Sequence, residues 1–516
     1  MPNEKDLNRR DFLITGAAGL TALGSAALLG RPELVMGAND RVRVAICGVR
    51  GRGGDHLHNY SQLPNVQIAA LCDIDENVLR QRLAQMEKMG LPKPVTYTDV
   101  RKLLEDKSID AISIATPNHW HTLIAIWACQ AGKDVYVEKP CSHNLWEGKQ
   151  LVSAAQRYNR IVQHGTQSRS ATTIREAVQK MRDGIIGETY MGRGLCYKWR
   201  DTIGKAPVQP VPQEVDYNLW TGPAPEHAFT KNRFHYNWHW FWDYGNGDLG
   251  NQGIHQVDTA RWGMGLGFPN KVSAIGGHFM FDDDQQTPND LNCAFEFDLP
   301  NGQRRMITFE VRHWMTNHEA LIGTPGLGTP EPKKSTVTQK LGPMAGSHNT
   351  VGNIFYGSKG YLATGDEDAD TYAVWRGRDQ EEQTVAHGGT ELAHFKTLID
   401  CVTRRKKADL NAPIEEGHIS CALVHLANAS YRLGRTINFN LDTQQLIGDE
   451  EARRLLCDAD RGDCEANPSD QRPTAFGRCR PGHAAAFRAT RRASFERAAL
   501  WLRHGAMWSL HRDHGI

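Results

Sequence analysis

Apolar runs and helical segments alternate over the first third of the chain. Predominantly apolar runs at Arg41–Cys47, Val66–Cys72, Ala111–Ala115 and Asp134–Val137 predict strands, and the segments between them have the period of helices. Strands that alternate with helices predict a parallel sheet with helices on its faces. Because ligands of such sheets bind outside the carboxyl ends of the strands, the residues that follow each run are candidate site residues.

A second pattern begins near residue 271, where the apolar runs become short and alternating. Strands of a second sheet are predicted at Val272–Ile275, Asn292–Asp298 and Met306–Val311. Beyond them, Phe355–Leu362 predicts a strand turn, and 390–404 and 419–433 have helical periods. The segment 323–346, rich in Gly, Pro, Thr and Lys, predicts a surface loop.

A glycine-rich turn joins the first predicted strand to a helix, and it contains Gly48, Arg50, Gly51, Arg52 and Gly53. Backbone N–H groups in such a turn approach a pyrophosphate, and the amino end of the helix adds partial positive charge. In the usual G-x-G-x-x-G spacing, Gly48 and Gly53 hold the first and third places, and Arg50 holds the second. We expect Gly51 to restore room for the phosphates and Arg50 or Arg52 to contact one of them.

An acidic residue ends the second predicted strand. Asp73 lies about twenty residues beyond the glycine turn, where a carboxylate accepts both ribose hydroxyls of a dinucleotide and repels a 2′-phosphate. This placement predicts NAD as the cofactor in preference to NADP, with Asp75 as the alternative acid. The competing interpretation is that Asp73 caps the helix predicted at Glu76–Met89.

Two further groups of residues carry candidate chemistry. Glu138, Lys139 and Pro140 follow the fourth apolar run, which places Lys139 at the carboxyl edge of the sheet. A solvated lysine in a turn is the competing interpretation. His255 follows a glycine-rich turn and begins a segment of helical period that includes Asp258. A lone histidine is usually structural, but this position favours a role in proton transfer.

An aromatic segment precedes His255. Residues 197–241 are polar and aromatic, and Trp238, His239 and Trp240 combine apolar faces with hydrogen-bonding groups. Such faces suit stacking on a sugar ring, so these three residues are candidate substrate contacts. The alternative is that the aromatic residues form a core.

Composition excludes some classes of function. The 516 residues include 60 Lys and Arg against 59 Asp and Glu, so no overall field favours nucleic acid or an anionic membrane surface. The eleven cysteines include no C-x-x-C pair, which indicates small core residues in place of a disulfide framework or zinc site. We therefore expect neither a nucleic-acid partner nor a metal.

The two ends of the chain differ from the rest. Arg9 and Arg10 precede a weakly hydrophobic run, Ile14–Leu29, which predicts a twin-arginine export signal over residues 1–38 and a periplasmic location. A membrane anchor is the alternative, but the run is shorter than the ~20 apolar residues of a spanning helix. An uncleaved signal would tether the protein to the membrane. Residues 446–516 form a basic tail, predicted to be poorly ordered, to which we assign no function.

The glycine turn, Asp73 and the segments Thr116-Pro117-Asn118-His119 and Glu138-Lys139-Pro140 together resemble the Gfo/Idh/MocA oxidoreductase family. The resemblance implies an α/β protein with a Rossmann dinucleotide-binding domain over 40–165. A C-terminal α/β domain over 166–445 would carry an open, mainly antiparallel sheet through which subunits associate as a homo-oligomer. Beyond the glycine turn and Asp73, the implied cofactor-binding residues are Thr116, Pro117, Asn118, His119, Glu138, Lys139 and Gln167.

The resemblance also implies a reaction, the transfer of hydride between a sugar, polyol or glycoside and NAD. His255 would accept the hydroxyl proton, and Lys139 would stabilise the developing alkoxide. Family members commonly carry an acid where this chain has Asn251, which leaves Asp248 as its substitute. Arg169 joins the aromatic residues as a candidate substrate contact. Export of a folded protein predicts a cofactor that is tightly held and recycled within the site.

Two other functions stay open. One branch of the family hydrolyses glycosides by transient oxidation, elimination, addition of water and reduction. That branch resembles this chain in its export signal and its Glu138-Lys139-Pro140 segment, but its usual tyrosine-bearing motif is absent after Leu249. The other candidate is a protein that binds a sugar or a dinucleotide without catalysis, which Arg50 in the glycine turn and Asn251 in the place of the acid would suit.

Overall fold

Six parallel strands form the first sheet of the computed structural model, which describes residues 41–314, 317–320, 322, 349–365, 371–376, 379–385, 390–441 and 443–457. The strands are β1 (Val42–Cys47), β2 (Val66–Cys72), β3 (Val95–Tyr97), β4 (Ala111–Ile114), β5 (Asp134–Val137) and β6 (Val162–His164). Their order is β3-β2-β1-β4-β5-β6, with all neighbours parallel. The chain reverses its direction of winding between β1 and β4, which opens a crevice at their carboxyl ends.

Helices cover this sheet: α1 (Arg52–Ser61), α2 (Glu76–Lys88), α3 (Val100–Glu105), α4 (Asn118–Gln130) and α5 (Leu145–Arg157). The side chains of Asp75, Asp99 and Asn144 accept hydrogen bonds from backbone N–H groups in the first turns of α2, α3 and α5. These caps explain where the three helices begin. Successive strand residues enter two different apolar cores, so both faces of the sheet are buried.

The second sheet has ten strands. They are β7 (Thr189–Lys198), β8 (Lys271–Gly277), β9 (Asp290–Asp298), β10 (Arg304–His313), β11 (Thr350–Gly357), β12 (Gly360–Gly365), β13 (Thr371–Arg376), β14 (Asp379–Val385), β15 (Ile437–Asn440) and β16 (Gln445–Leu446). Their order is β14-β13-β12-β11-β7-β10-β9-β8-β15-β16. β7 and β10 are parallel, and the other neighbours are antiparallel. The predicted α/β class with an open, mainly antiparallel second sheet is confirmed.

The remaining helices are α6 (Thr172–Arg182), α7 (Tyr217–Thr221), α8 (Ile254–Met264), α9 (Thr390–Arg404), α10 (Ile414–Leu433) and α11 (Glu450–Leu456). α8 packs on β7 and β11, and α10 packs on β8 and on α5 of the first domain. A π-helical turn, Leu249–Gly253, leads directly into α8. This turn brings the beginning of α8 to the edge of the first sheet.

The apolar cores cross the predicted domain boundaries. Phe395 and Leu398 of α9 are fully buried in the same core as Val44 of β1. A helix from the predicted C-terminal domain therefore covers one face of the first sheet. At the other end, Leu446 and Leu456 are buried in the main core, so the folded part continues beyond the boundary predicted at residue 445.

Several predictions concern residues that the structure does not describe. The export signal at 1–38, the loop at 323–346 and the tail beyond residue 457 lie outside the described residues. Within the described ranges, no helix combines the length and the hydropathy needed to cross a bilayer.

Candidate active site

A cavity of about 380 Å³ opens at the carboxyl ends of the first sheet, at the crevice between β1 and β4. One wall consists of residues that follow five of the strands: Gly48, Asp73, Asp99, Thr116 and Lys139. The opposite wall comes from the segment 219–251 of the second domain. The cavity therefore lies where the strand order predicts a ligand site.

The cavity contains most of the predicted site residues. Those that line it are Gly48, Arg50, Gly51, Arg52, Asp73, Thr116, Pro117, Asn118, Glu138, Lys139, Trp238, His239 and Asn251. Those that do not line it are Gly53, His119, Gln167, Arg169, Trp240, Asp248 and His255. Each residue of the second group is held in the protein by its own contacts.

The glycine turn fits the close approach of a ligand. Gly48 has φ +77°, and a Cβ there would lie 2.6 Å from the carbonyl oxygen of Ala115. A Cβ at Gly53 would lie 1.9 Å from the carbonyl oxygen of Gly48, so Gly53 lets α1 pack against the turn without reaching the cavity itself. A Cβ at Gly51 would meet nothing within 4 Å, and α1 begins directly after it. Gly51 therefore leaves open space at the amino end of a helix, where anions bind.

Asp73 lies beside the turn and is not a helix cap. Its Oδ2 accepts a hydrogen bond from the N–H of Val49 at 2.8 Å, and its Oδ1 accepts one from the N–H of Asp75 at 3.1 Å. Burial raises the pKa of Asp73 to about 6, although these hydrogen bonds oppose the rise. The side chain of Asp75 caps α2 through the N–H of Asn77 at 2.9 Å. The capping interpretation of Asp73 was wrong, and Asp75 is engaged elsewhere.

Arg52 was predicted as a phosphate contact, and the structure corrects this. Its Nε donates to Glu138 Oε1 at 2.8 Å and its Nη1 donates to Glu391 Oε1 at 2.5 Å. Two carboxylates therefore already neutralise the guanidinium. Glu138 is only 3% exposed and also lies 3.1 Å from His56 Nε2. Although burial opposes ionisation, Arg52 and His56 hold the pKa of Glu138 well below its usual range.

Lys139 reaches across the cavity to the π-helical turn. Its Nζ donates a hydrogen bond to the carbonyl oxygen of Asn251 at 2.5 Å. The side chain of Asn251 donates in turn to Asp248 Oδ1 at 3.0 Å. Asn251, which occupies the place of the family's acid, therefore positions Lys139 through its backbone carbonyl. The side chain of Asn251 is itself held by the carboxylate of Asp248.

Asp248 was predicted as a substitute acid, and its surroundings exclude proton exchange with a ligand. It is 1% exposed and accepts hydrogen bonds from Arg200 at 2.9 and 3.1 Å and from His313 Nε2 at 2.7 Å. Burial opposes ionisation, but Arg200 and His313 hold the pKa of Asp248 well below its usual range. Asp248 is thus a fixed anion that supports Asn251.

His255 lies in the first turn of α8, behind the cavity wall. It is 3% exposed, and burial together with the positive charge of Lys139 lowers its pKa well below the usual value. Because its pKa is low, the imidazole of His255 is neutral at pH 7 and able to accept a proton.

The aromatic segment divides between wall and core. Trp238 and His239 line the cavity, and their rings stack with centroids 3.6 Å apart. Trp240 belongs to the same aromatic core as Trp238 and Trp220 but does not line the cavity, and it lies edge-on to His313 at 5.9 Å. Trp238 and His239 therefore lie where a substrate in the cavity would meet them, and Trp240 does not.

Three other predicted residues are engaged away from the cavity surface. Arg169 forms a bidentate ion pair with the buried Asp258, at 2.8 and 2.9 Å, so its substrate-binding assignment was wrong. Gln167 Nε2 donates to the hydroxyl of Tyr136 at 2.8 Å, behind Glu138. His119 Nε2 lies 3.0 Å from the carbonyl oxygen of Trp220. Gln167 and His119 therefore do not line the cavity and contact residues that do, Glu138 and Trp220.

His121 lines the cavity but was not predicted. Its ring nitrogens lie 2.7 Å from the carbonyl oxygens of Pro140 and Thr116, so it joins the segments that follow β5 and β4. Burial lowers the pKa of His121, although the hydrogen bonds to the two carbonyl oxygens oppose that shift. Its place one helical turn after Asn118, on the same face of α4, is the sequence signal that could have identified it.

Polar atoms left without partners test whether a dinucleotide fits the cavity. Thr116 Oγ1 and Asn118 Oδ1 are buried and have no hydrogen-bond partner among the described residues. Buried polar atoms are normally paired, so both point to a polar ligand. The open space beside Gly51 suits the phosphates, the carboxyl group of Asp73 suits the ribose hydroxyls, and the two unpaired oxygens suit an amide group. The residues present therefore fit a nicotinamide dinucleotide.

Sequence models of one protein family match both domains. The model described as "Oxidoreductase family, NAD-binding Rossmann fold", of the Gfo/Idh/MocA type, matches residues 42–166. The model described as "Oxidoreductase family, C-terminal alpha/beta domain" matches residues 172–278 and 380–466. Together the two models span well over half of the chain.

Curated relatives include glycosyl hydrolase family 109 proteins. The one from Shewanella pealeana is 33% identical over 210 residues, which cover 36% of this chain and 45% of the relative. The one from Saccharopolyspora erythraea is 32% identical over 207 residues, with the same coverage of 36% and 45%. The matches thus span about half the length of these relatives.

Solved structures share the fold. An aldose–aldose oxidoreductase from Caulobacter crescentus, complexed with glycerol, has a TM-score of 0.53 at 18% identity, over 77% of this chain and 100% of that one. A levoglucosan dehydrogenase complexed with NADH and levoglucosan has a TM-score of 0.56 at 15% identity, over 77% and 99%. At these identities the likeness shows a shared fold.

Proposed function

The chain belongs to the Gfo/Idh/MocA oxidoreductase family, and we propose that it transfers hydride between NAD and a hydroxyl-bearing carbon of a sugar, polyol or glycoside. One observation carries the proposal: a single cavity at the β1/β4 crevice is lined by the glycine turn, Asp73 and Lys139. A nucleotide fold with a cation at the reacting end suits alcohol oxidation. The sugar and NADH in the levoglucosan dehydrogenase complex support this choice of substrate class.

The residues that would hold NAD form a continuous path. The turn from Gly48 to Gly51 and the amino end of α1 suit the pyrophosphate, and Asp73 suits the ribose hydroxyls. Thr116 and Asn118 offer the two buried oxygens that lack partners. When bound there, NAD supplies an acceptor for the hydride of the substrate. Asp73 favours NAD over NADP because an ionised carboxylate repels a 2′-phosphate.

Residues of the chain would accept the hydroxyl proton and stabilise the alkoxide. Lys139 Nζ, fixed by the Asn251 carbonyl, would donate a hydrogen bond to the reacting oxygen of the substrate and stabilise its negative charge. His255 does not line the cavity, so it would receive the hydroxyl proton through Lys139 or a bridging water molecule. The stacked rings of Trp238 and His239 offer a wall for the sugar and exclude water.

A direct experiment is to purify the full chain, take its absorption spectrum for bound nucleotide, and incubate it with a panel of sugars and polyols while nicotinamide absorbance is followed. We expect bound NAD and its reduction by at least one compound. Bound NAD with no turnover by any compound, unchanged in Lys139→Ala and His255→Ala, would favour a sugar or dinucleotide sensor. An active enzyme that holds no nicotinamide nucleotide would refute the proposal.

A second candidate function is glycoside hydrolysis through transient oxidation. The observation that favours it is the 33% identity to a glycosyl hydrolase family 109 protein over a shared segment. The same cavity would oxidise the sugar ring, eliminate the aglycone, add water to the ring and return the hydride, with no net redox change. Incubation with p-nitrophenyl glycosides separates the two functions. Phenol release without accumulation of NADH indicates hydrolysis, and accumulation of NADH without phenol release indicates the dehydrogenase.

We also propose export by the twin-arginine route, with the protein periplasmic or, if its signal is uncleaved, tethered to the membrane. The supporting observation is the pair Arg9 and Arg10 before the run Ile14–Leu29. Cell fractionation tests it with the double variant Arg9→Lys and Arg10→Lys. We expect the wild type outside the cytoplasm and the variant inside it, and an unchanged distribution would contradict the proposal.

Association through the second sheet is a further part of the proposal. Ile275 on β8 is 78% exposed, and Met306 on β10 is 39% exposed, so this sheet carries large apolar side chains in contact with solvent. Light scattering of the purified chain is the test. We expect a mass that is a multiple of 57.7 kDa, and a stable monomer at micromolar concentration would contradict it.

A further inference from the structure

Three side chains of the types that bind metals meet in the interior, although they come from distant parts of the chain. They are Cys141, two residues after Lys139, His164 at the end of β6, and Cys421 on α10. All three are fully buried, at 0% exposure. Their ligand atoms lie within 4.8 Å of one another, and the group is separate from the residues that line the cavity.

The spacing of the three atoms matches a tetrahedral metal site. Cys141 Sγ and Cys421 Sγ are 3.6 Å apart, and Cys421 Sγ is 3.7 Å from His164 Nε2. A zinc ion with Zn–S bonds of about 2.3 Å and a Zn–N bond of about 2.0–2.1 Å places two sulfurs about 3.8 Å apart and sulfur and nitrogen about 3.5 Å apart. Two of the three distances therefore differ from those of a zinc site by only a few tenths of an ångström, and the third, from Cys141 Sγ to His164 Nε2, is within 4.8 Å.

A neighbouring hydroxyl group orients the histidine for this role. His164 Nδ1 lies 3.3 Å from Thr166 Oγ1, which is itself buried. With the ring proton on Nδ1 donated to that hydroxyl, the lone pair of Nε2 points to the two sulfurs. Metal-binding histidines commonly have such a hydrogen-bonded partner. Gly417 leaves room for the ring, since a Cβ there would lie 2.5 Å from His164 Cγ.

A disulfide fits the arrangement less well than a metal. An S–S bond is about 2.0 Å long, so sulfurs 3.6 Å apart must approach each other by more than 1 Å inside a packed core. A disulfide also does not involve His164 Nε2, the imidazole nitrogen that faces Cys421. The combination of two thiols and an oriented imidazole is the ligand set that zinc prefers.

We propose that Cys141, Cys421 and His164 bind one zinc ion, which joins the loop that carries Lys139 to α10 of the second domain. The two thiols release their protons to water when the ion binds, and the protein supplies three of the four ligands of the tetrahedron. The two thiolates balance the charge of the ion within the core. The function of this site is structural, and the proposal does not depend on the redox or hydrolytic activity.

The test uses the full chain purified without a polyhistidine tag. Elemental analysis is expected to find about one zinc per chain. Cobalt added to the reduced, chelator-treated protein is expected to give thiolate-to-cobalt charge-transfer absorption and the intense visible bands of tetrahedral cobalt. Cys421→Ala is expected to abolish both signals. Thr166→Val, which removes only the orienting hydroxyl, is expected to weaken metal affinity about 10–100-fold.

Cys293→Ala, at another buried cysteine in the second sheet, is the matched control and is expected to retain the metal. The proposal is overturned if the wild type binds neither ion, if bound cobalt shows no thiolate band, or if peptide mapping finds a metal-free Cys141–Cys421 disulfide. Retention of the thiolate band in Cys421→Ala overturns it as well. If that variant does not fold, the wild-type cobalt spectrum decides the question alone, without any measurement of turnover.

Discussion

Lys139→Met removes the positive charge from the cavity and keeps most of the length of the side chain. The lysine is half-buried, and its Nζ donates to the Asn251 carbonyl at 2.5 Å. Loss of that donor lowers the free energy of unfolding by about 1–3 kcal/mol, the usual effect on a partly buried acceptor. Loss of one donor to a developing oxyanion raises the barrier by about 3–4 kcal/mol, so we expect kcat to fall about 10²–10³-fold. NAD affinity, measured by calorimetry, is expected to change much less.

The pH dependence of the same variant carries a second expectation. The charge of Lys139 is one cause of the low pKa of His255, after burial. Removal of that charge raises the pKa of His255, and a base must be neutral to accept a proton. The acid limb of the pH–rate profile is therefore expected at higher pH in Lys139→Met than in the wild type. Initial rates of NADH formation across the pH range measure this shift.

Lys198→Met is the matched control. Lys198 is also half-buried, and its Nζ donates to Gln252 Oε1 of the same π-helical turn at 2.5 Å, but it does not line the cavity. We expect a similar loss of stability with kcat near the wild-type value. A Lys139→Met enzyme with wild-type kcat would refute the proposed role of the ammonium. Equal losses of kcat in both variants would show that the effect comes from the turn and not from the charge in the cavity.

Other substitutions test the nucleotide half of the cavity. Gly48→Ala forces a side chain into φ +77°, so we expect the denaturation midpoint to fall by the equivalent of about 1–2 kcal/mol or more. Gly51→Ala meets no protein atom within 4 Å, so calorimetry is expected to show weaker NAD binding with stability changed by less than about 1 kcal/mol. The pKa of Asp73 is raised to about 6, so NAD affinity is expected to rise with pH through about 6 in the wild type and to stay flat in Asp73→Asn. Arg52→Met leaves Glu138 buried without its main cation, which is expected to lower the free energy of unfolding by about 3–5 kcal/mol in chemical denaturation.

Each of these predictions has a distinct contrary result. For the glycines, unchanged NAD affinity in Gly51→Ala would show that the turn does not approach the ligand. For Asp73, the raised pKa means that the folded state binds a proton between pH 3.8 and about 6 and loses that contribution to stability as the pH rises. A free energy of unfolding that increases over this pH range in the wild type, but not in Asp73→Asn, would contradict the burial of the group. Arg80→Met, in an exposed pair with Glu76 at 3.4 Å, is the control for Arg52 and is expected to cost about 0–1 kcal/mol.

Local chemistry explains why much of the site was predictable. The glycine turn, Asp73 and Lys139 each follow a strand directly, so the parallel sheet alone brings them to one edge. The aromatic segment before α8 was also recognisable by composition, and Trp238 and His239 do line the cavity. These predictions required only the period of the apolar residues and the geometry of a parallel sheet.

Long-range pairing explains why the rest was not predictable. Arg52 meets Glu391 across 339 positions, and Arg169 pairs with Asp258 across 89, so each guanidinium is already neutralised by a carboxylate of the protein. No period or spacing in the sequence indicates which charges will neutralise each other in a folded interior. The same holds for Cys141 and Cys421, which are 280 positions apart and belong to no sequence motif.

The most direct measurement of the central claim is a crystal structure of the full chain soaked with NAD and a polyol. The account predicts the pyrophosphate at the Gly48–Gly51 turn, the ribose hydroxyls on Asp73 and the nicotinamide ring beside Lys139. It also predicts the reacting hydroxyl within hydrogen-bond reach of Lys139 Nζ. A nicotinamide ring remote from Lys139, or a cavity that takes up no nucleotide at saturating NAD, would contradict the account.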